Sequence, residues 1–362
     1  MSATQRLPFV VGVLSSGGAL IALTSLPAAR KFFYRYLGIS APGGIWRVLA
    51  VLFAILNFKS LPFVWHMRVL RGIFYHLKLN PHSLTPQSLF APIITSTHTP
   101  LMECDYNLHK SNSTYFSDFD ASRGQHVACL LRVGMSRLNN GDITGLPVEA
   151  VQGKGRFIIA LGGVACVFRK EVAPFEKVEI WTRLLSWDGK WLYLVSHMVK
   201  KGLFKPSSYA LQPWKKGRVK QDVQTQEQEE TEQERLKRAI FASSVAKYVV
   251  KKGRLTIAPE VVLERSNLLP PRPSSVHTPE VLAAPVTQRP PSSEDMDSEL
   301  NANPIDEVVR RNPEADWTWE DMERVRRKGL HLAQNFDGLG GLHDVFDGGK
   351  DGAMGEYADL FW

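Results

Sequence analysis

Residues 178–199, VEIWTRLLSWDGKWLYLVSHMV, decide the fold class of this chain. From Val178 to Leu184, Val, Ile, Thr and Leu alternate with Glu, Trp and Arg, which is the period of a strand with two different faces. A second run of the same kind follows from Trp191 to Val199. Asp188-Gly189 between two such runs favours a tight hairpin whose turn needs a positive φ at its centre. The stretch therefore predicts two antiparallel strands.

The flanking segments extend this sheet and add one helix. Phe157 to Phe168 reads as a strand, and Gly162-Gly163 within it suggests a bulge or bend. Ala239 to Val250 reads as a further strand, although its Ala-rich start leaves a helix as the alternative. Asn112 to Leu138 has approximately helical spacing of apolar residues, and Gly124 suggests that this helix bends or starts late. A helix followed by antiparallel strands indicates an α+β fold with the helix on one sheet face.

The N-terminal segment is long and apolar enough to span a membrane. From Leu7 to Ala29 no residue is charged. Arg6 precedes the segment and three basic residues follow within 30–35, which favours a cytosolic main domain. We therefore expect residues 1–35 to be a single-span anchor, with the endoplasmic reticulum as a candidate membrane. A cleavable signal peptide is the alternative, because small residues lie near position 28.

Residues 36–89 contain a second apolar run, from Val48 to Phe58, that is too short to span a bilayer. Basic and aromatic residues surround it, as in an interfacial helix or a re-entrant segment. The alternative is a helix packed against the soluble domain.

Three later segments differ in composition from the core. Residues 204–235 are expected to form a polar insertion between two strands, and 266–312 a disordered linker rich in Pro and Ser. Residues 313–362 should hold a short amphipathic helix, docked on the domain or on a partner, and a Gly-rich acidic tail. Thr318 and Asp321 are spaced like an N-terminal cap for that helix.

Composition excludes several classes of function. The net charge of +8 is spread among acidic and apolar residues without a base-stacking motif, so nucleic acid is not an expected partner. The three cysteines have no paired spacing, which argues against a disulfide framework and for a reducing compartment. No His/Cys cluster has zinc-ligand spacing, and neither a metal nor a cofactor is expected.

Residues 103–115, ECDYNLHKSNSTY, carry the candidate chemistry. Asp105 lies in the loop before the predicted helix, where unpaired N–H groups and the positive end of the helix dipole are found. Such donors can polarise a thioester carbonyl, and a carboxylate beside them can activate water or attack directly. From the residues alone, Asp and Asn before a helix are more often caps than catalysts.

The spacing Asp105-x-x-x-His109-x-x-Asn112-x-x-Tyr115, with Arg123 further on, resembles the start of the hotdog helix in 4-hydroxybenzoyl-CoA-thioesterase-like proteins. The stretches 168–183 and 193–197 resemble their hairpin core, and 252–260 resembles their final strand. The similarity covers residues 90–265. It is greatest to the subgroup of thioesterase superfamily member 6 and of fungal thioesterase-like proteins often found with secondary-metabolite genes.

This resemblance implies a hotdog fold, an antiparallel sheet wrapped around a long central helix, in a homodimer with the acyl-thioester site between subunits. By carry-over, Asp105 is the catalytic carboxylate, and the substrate-binding positions are His109, Asn112, Ser113 and Tyr115. The chain departs from the family at Leu108, where glycine is usual, and at Glu103, where Asp is more usual. Both departures are expected to affect the geometry of the turn.

The leading functional prediction is an acyl-thioester hydrolase that acts at a membrane on acyl-CoA or acyl-carrier protein, with lipid and substrate as partners. The alternative is a non-catalytic hotdog protein that binds acyl groups or scaffolds partners. A dehydratase or hydratase on the same fold is a third hypothesis, for which the single His109 offers little.

Overall fold

The structure, a computed structural model, describes residues 42–215, 217, 238–273 and 317–339, together with four isolated positions before residue 36. Nearly all of the predicted anchor, most of the polar insertion and of the linker, and the acidic tail lie outside these residues. The chain divides into two compact units, Met1–Val64 with Pro100–Met102, and Trp65–Thr99 with Glu103–Trp362.

The first unit contains helix α1, Gly44–Leu56, and a 3-10 turn, Phe58–Ser60. Asn57 ends the helix, and its side chain donates to the Phe53 carbonyl at 2.9 Å and accepts the Met102 N–H at 2.9 Å. Gly44 is the one buried residue of α1, so its large apolar side chains are exposed. At about 20 Å, the helix is shorter than the roughly 30 Å hydrocarbon core of a bilayer. Among the described residues, no helix combines the length and apolar character needed to cross a membrane.

The second unit is built on one antiparallel sheet in the order β1-β3-β4-β5-β2, with β6 pairing to β5. The strands are β1 Ile93–His98, β2 Phe157–Phe168, β3 Lys177–Trp187, β4 Trp191–Lys200, β5 Ile240–Lys252 and β6 Leu255–Ile257. The predicted strands are confirmed, and the segment after residue 239 is a strand rather than a helix. In this order β1 and β2 lie at opposite edges of the sheet.

The β3–β4 hairpin is present, but its turn is not the predicted kind. Gly189 is not among the residues with positive φ. Instead one Asp188 carboxylate oxygen accepts the N–H groups of Lys190 and Trp191 at 2.7 and 2.6 Å, and the other accepts the Tyr193 hydroxyl at 2.8 Å. The expectation of a left-handed turn was wrong because a side-chain carboxylate satisfies the turn's donors.

The predicted irregularity in β2 is confirmed, since its register to β5 shifts between Leu161 and Gly163. A Cβ at Gly162 would lie 2.3 Å from the Trp191 ring. Glycine is required there because an aromatic side chain covers the backbone.

Helix α3, Asn112–Asn139, packs one face against the sheet. It runs through Gly124 without a break, and the Ile73 side chain of the preceding helix, α2 (Val64–Phe74), lies close to this glycine. A π-helical turn, Tyr75–Leu79, follows α2. The buried contacts between α3 and the strands involve Val127, Leu130, Leu131, Leu184, Leu192 and Leu194.

Two short helices lie at the far end of α3. Helix α4, Val148–Gln152, precedes β2, and helix α5, Pro259–Arg265, follows β6. A Cβ at Gly134 would lie 2.2 Å from the Val262 carbonyl. Helices α3 and α5 therefore approach each other closely at this glycine.

Helix α6, Trp319–Asp337, covers the other face of the sheet. It begins with the predicted capping box of Thr318 and Asp321. Because side chains alternate along β4, Tyr193, which clusters with α6, faces away from α3. A Cβ at Gly329 would lie 2.1 Å from the Leu185 carbonyl. The C-terminal helix is therefore docked on this domain.

Candidate active site

Asp105 lies on a closed turn immediately before α3. The turn is bounded by an isolated bridge between Cys104 and Lys110. The Asp105 N–H donates to the His109 carbonyl at 2.9 Å, and the Leu108 N–H donates to the Asp105 carbonyl at 3.0 Å. One oxygen of the Asp105 carboxylate accepts the Asn107 N–H at 2.9 Å. The side chain is thus held by its own loop and remains partly exposed.

Leu108 adopts the left-handed conformation that a glycine would favour, with φ of 60°. This conformation costs an L-residue about 1–2 kcal/mol. The side chain is 66% exposed, so burial of this leucine does little to offset the cost. The turn keeps a left-handed residue at this position despite the departure from glycine.

The start of α3 is open to a ligand. Its N-cap residue, Ser111, makes no side-chain capping hydrogen bond, and the first N–H groups of a helix lack intrahelical acceptors. Asn112 and Ser113 are exposed at this end. The Ser111 N–H donates to the Glu103 carbonyl at 2.8 Å, which ties the helix start to the base of the Asp105 turn. A carboxylate and the positive end of a helix dipole therefore share one surface.

A series of ion pairs connects this turn to α3 and α2. The Lys110 ammonium lies 2.6 Å from the Glu103 carboxylate and 2.9 Å from that of Asp118, whose other oxygen lies 2.6 Å from the Arg68 guanidinium. The Lys110 and Asp118 side chains are fully buried. Two acids and two bases alternate, so this set adds no net charge to the interior. The sequence prediction missed Lys110, Asp118 and Arg68, and no local spacing would have revealed them.

Glu103 has a structural role in this turn. Its carboxylate accepts from the Lys110 ammonium, seven residues later, at 2.6 Å. This contact closes the loop that presents Asp105.

Tyr115 and His109 lie in different surroundings from Asp105. Tyr115 is buried among apolar side chains, with its ring 5.0 Å from that of Phe168 in an edge-on contact. Burial, together with nearby Cys166 and Glu171, raises the pKa of Tyr115 to about 12. His109 is partly exposed, and its Nε2 lies 3.2 Å from the Glu171 carboxylate. The structure thus places Asp105, Asn112 and Ser113 at the open loop and helix start, and Tyr115 inside the core.

Arg123, the last residue of the motif, is also internal. Its guanidinium lies 2.5 Å from the Asp120 carboxylate and 3.3 Å from the Ser244 hydroxyl of β5. The contact with Ser244 joins α3 to the sheet, whereas the pair with Asp120 lies within α3.

A largely apolar cleft of about 1030 Å³, called here the α3 cleft, runs along the C-terminal half of α3. Phe157 and Ile159 of β2 and Tyr248 of β5 form its opposite wall. Asp105 does not line it. Four basic residues contribute to its lining, namely Lys78, Arg132, Arg137 and Arg156.

The outer edge of β2 carries no paired strand among the described residues. Ile158, Leu161 and Val167 on this strand are exposed. Edge strands of monomers are normally short or carry charges that prevent pairing, whereas this edge is long and apolar.

Comparisons of the sequence with known proteins identify the family. A sequence model described as the thioesterase-like superfamily matches residues 99–265. The chain is 33% identical over 329 residues to the probable thioesterase atnL of Emericella nidulans, covering 86% of this chain and 91% of that protein. It is 32% identical over 309 residues to the thioesterase poxG of Penicillium oxalicum, covering 83% and 87%.

Among solved structures, the probable thioesterase YbaW from Escherichia coli aligns with a TM-score of 0.30 and 12% identity, over 49% of this chain and 96% of that one. The similarity to the fungal proteins, over most of both chains, shows the family. The chain belongs to the thioesterase-like superfamily and has its hotdog fold, as the residue motif predicted.

Proposed function

We propose that the protein hydrolyses acyl thioesters carried by coenzyme A or by an acyl-carrier protein, with Asp105 as the general base or nucleophile. The observation that carries this proposal is the Asp105 carboxylate on a braced turn directly before the uncapped N-terminus of α3. The fungal relatives, to which the chain aligns over most of their length, are named thioesterases, and this supports the reaction class.

The proposed mechanism follows from the position at which negative charge develops during thioester hydrolysis. Attack on a thioester carbonyl places negative charge on its oxygen, and the N–H groups that begin α3 are donors for that oxyanion. The Asp105 carboxylate accepts a proton from the attacking water, or itself attacks the carbonyl carbon. The carrier thiolate then leaves. With water as the attacking group the free acid is formed directly, whereas attack by Asp105 gives an acyl anhydride that a second step, with water, hydrolyses to the free acid and the Asp105 carboxylate. In this proposal Asn112 and Ser113 contact the substrate beside the donors, His109 positions the loop, and Tyr115 forms the wall behind it.

The proposed active form is a homodimer joined through β2. Two copies of its exposed edge can pair antiparallel about a twofold axis. This pairing would set the two α3 helices antiparallel on one face of a continuous sheet. The Asp105 turn of one protomer would then approach the C-terminal half of α3 in the other, where the α3 cleft lies.

The α3 cleft suits an acyl thioester in this arrangement. Its volume is close to the upper limit for small-molecule sites, and its walls are mainly apolar. Arg137 and Arg156 belong to its lining and can pair with the phosphate groups of coenzyme A or a phosphopantetheine arm. The acyl chain would follow the apolar walls between them.

Membrane attachment is part of the same proposal. Helix α1 exposes apolar side chains around its circumference, and a helix that is apolar all round normally lies in a protein core or in lipid. In the second unit, Met67, Leu70 and Phe74 of α2 are also exposed. We assign these surfaces to the membrane interface. The predicted anchor in residues 1–35 would hold the catalytic domain on the cytosolic side.

The test is hydrolysis of a panel of medium- and long-chain acyl-CoA by the full chain in lipid nanodiscs. Asp105→Asn should lower kcat by at least about a hundredfold, the scale of general-base catalysis, with little change in Tm. Glu149→Gln, which alters an exposed carboxylate on α4, is the matched control and should retain full turnover. Equal turnover by wild type and Asp105→Asn would remove Asp105 from the mechanism.

A non-catalytic acyl-binding or scaffold protein is the second candidate. It is favoured by one observation, that Asp105 does not line the α3 cleft of the single chain. Binding of acyl-CoA without turnover of any thioester in the panel would establish this alternative.

A further inference from the structure

A second cavity, of about 450 Å³, lies at the β1 edge of the sheet, opposite the β2 edge. We call it the histidine pocket. Its walls come from the π-helical turn, β1, the middle of α3 and the segment that follows β4. None of the predicted site residues lines it. The pocket is therefore separate from the thioesterase site, and the inference below does not depend on the proposed function.

The pocket has a polar atom at its buried end that lacks a partner. His126 is only 4% exposed and lines the cavity. Its Nε2 makes no hydrogen bond within the described part of the chain. Burial lowers the pKa of His126 to about 3, with a smaller contribution from His76, so the ring is neutral at cellular pH. A buried polar nitrogen without a partner is unfavourable, and a ligand that supplies the hydrogen bond recovers that cost.

The neighbouring polar groups are already engaged. His76 Nε2 lies 3.2 Å from the Gln125 side-chain nitrogen, and His76 Nδ1 lies 3.3 Å from that of Asn80. Burial and the nearby Arg132 lower the pKa of His76 to about 4. His76 and Gln125 thus form a fixed wall beside His126.

The rest of the lining combines apolar and polar side chains, with two lysines among its exposed residues. Leu84, Ile94 and Leu130 line the interior, and the exposed Lys201 and Lys215 belong to the outer lining. Among the described residues of the lining, the one carboxylate is that of Glu179, which accepts the Gly202 N–H at 3.3 Å and the Trp181 indole N–H at 3.4 Å. The mouth therefore has a net positive charge.

We propose that the histidine pocket binds a small amphipathic carboxylic acid that carries a hydroxyl group at the end opposite its carboxylate. The carboxylate pairs with Lys201 and Lys215 at the mouth. The apolar body fills the space between Leu84 and Leu130, and the hydroxyl donates to or accepts from His126 Nε2. A cavity of this size accommodates a ligand with a single aromatic ring.

Isothermal titration of the full chain with para-hydroxyphenylpropanoate and with phenylpropanoate tests each part. Wild type should bind the hydroxylated acid about tenfold more tightly, because one buried hydrogen bond contributes about that much to affinity. His126→Leu keeps an apolar side chain in place and should abolish that preference. Failure of both acids to bind, or an unchanged preference in His126→Leu, would overturn the proposal.

Two further variants keep the test independent of folding and of catalysis. Lys201→Glu combined with Lys215→Glu changes only exposed side chains, and should weaken both acids by about tenfold or more with Tm unchanged. Unchanged affinity in this variant would contradict the proposed orientation. Asp105→Asn should bind both acids like wild type, whereas a loss of binding would place them in the thioesterase site instead.

Discussion

The Lys110 ammonium lies 2.9 Å from the Asp118 carboxylate, with both side chains completely shielded from solvent. Lys110 comes from the loop and Asp118 from the second turn of α3, so this pair fastens the Asp105 turn to the helix that it precedes. The contact of Lys110 with Glu103 fastens the other end of the same turn. A catalytic carboxylate on a surface loop gains fixed geometry from such bracing.

Lys110→Met should therefore lower the free energy of unfolding by about 3–5 kcal/mol, because it removes a cation between two buried carboxylates. Urea denaturation measures this loss. Lys154→Met, at an exposed position, should change stability very little. The double variant Lys110→Met/Glu103→Gln should lose less than Lys110→Met alone, and an equal or larger loss would contradict the proposed pairing.

Leu108→Gly should raise the free energy of unfolding by up to about 1 kcal/mol. Glycine relieves the left-handed strain, although part of the gain is offset by the greater entropy of the unfolded chain. The matched control is Leu332→Gly, which replaces another exposed leucine within α6 and should cost about 1 kcal/mol. If both variants lose stability equally, Leu108 is not strained.

Val167→Lys should convert the proposed homodimer to a monomer, because a charge on the β2 edge opposes strand pairing. Light scattering coupled to size-exclusion chromatography reports the mass. Val167 is 68% exposed and Val148, on α4, is 62% exposed. Val148→Lys should therefore remain dimeric. Thioesterase activity should fall with the loss of the dimer, and full activity in a monomeric Val167→Lys would exclude a site shared between protomers.

Stability should decrease as the pH falls below about 6.5. His76 and His126 titrate near pH 6.5 in the unfolded chain and near 4 and 3 in the native one. Between these values the unfolded state binds more protons, so each histidine lowers the free energy of unfolding by roughly 1.4 kcal/mol per pH unit. Urea titrations between about pH 7 and pH 5 measure the slope. His126→Leu should make it shallower, and an unchanged slope would rule out a buried neutral His126.

The sequence predicts the local elements of this fold well because their signals are local. The alternation after Val178, the paired glycines of β2 and the cap at Thr318 each depend on residues within a few positions. The prediction of a left-handed turn at Asp188-Gly189 is wrong because the identity of these two residues does not show which group accepts hydrogen bonds from the N–H groups of the turn. The family resemblance, rather than periodicity, supplied the hotdog topology.

Reasoning from the sequence predicted only part of the candidate site. Asp105 was expected just before the helix, and it lies there. The ring of Tyr115 lies in the core, which the spacing of the motif does not reveal. Arg68 meets Asp118 across fifty positions of sequence, a pairing that only the packing of α2 on α3 creates. The substrate-binding roles of His109, Asn112, Ser113 and Tyr115 stay predictions.

Helix α6 lies outside the segment that the family model matches, but it is part of the folded domain. The family match ends at residue 265, yet Met322 and Val325 of α6 are completely enclosed in the same core as Trp187 and Leu268. A protein trimmed to the family boundary would keep the sheet and α3 but expose the surface on which α6 rests. The smallest fragment worth expressing thus extends past Asp337, some seventy residues beyond the last residue that the family model matches.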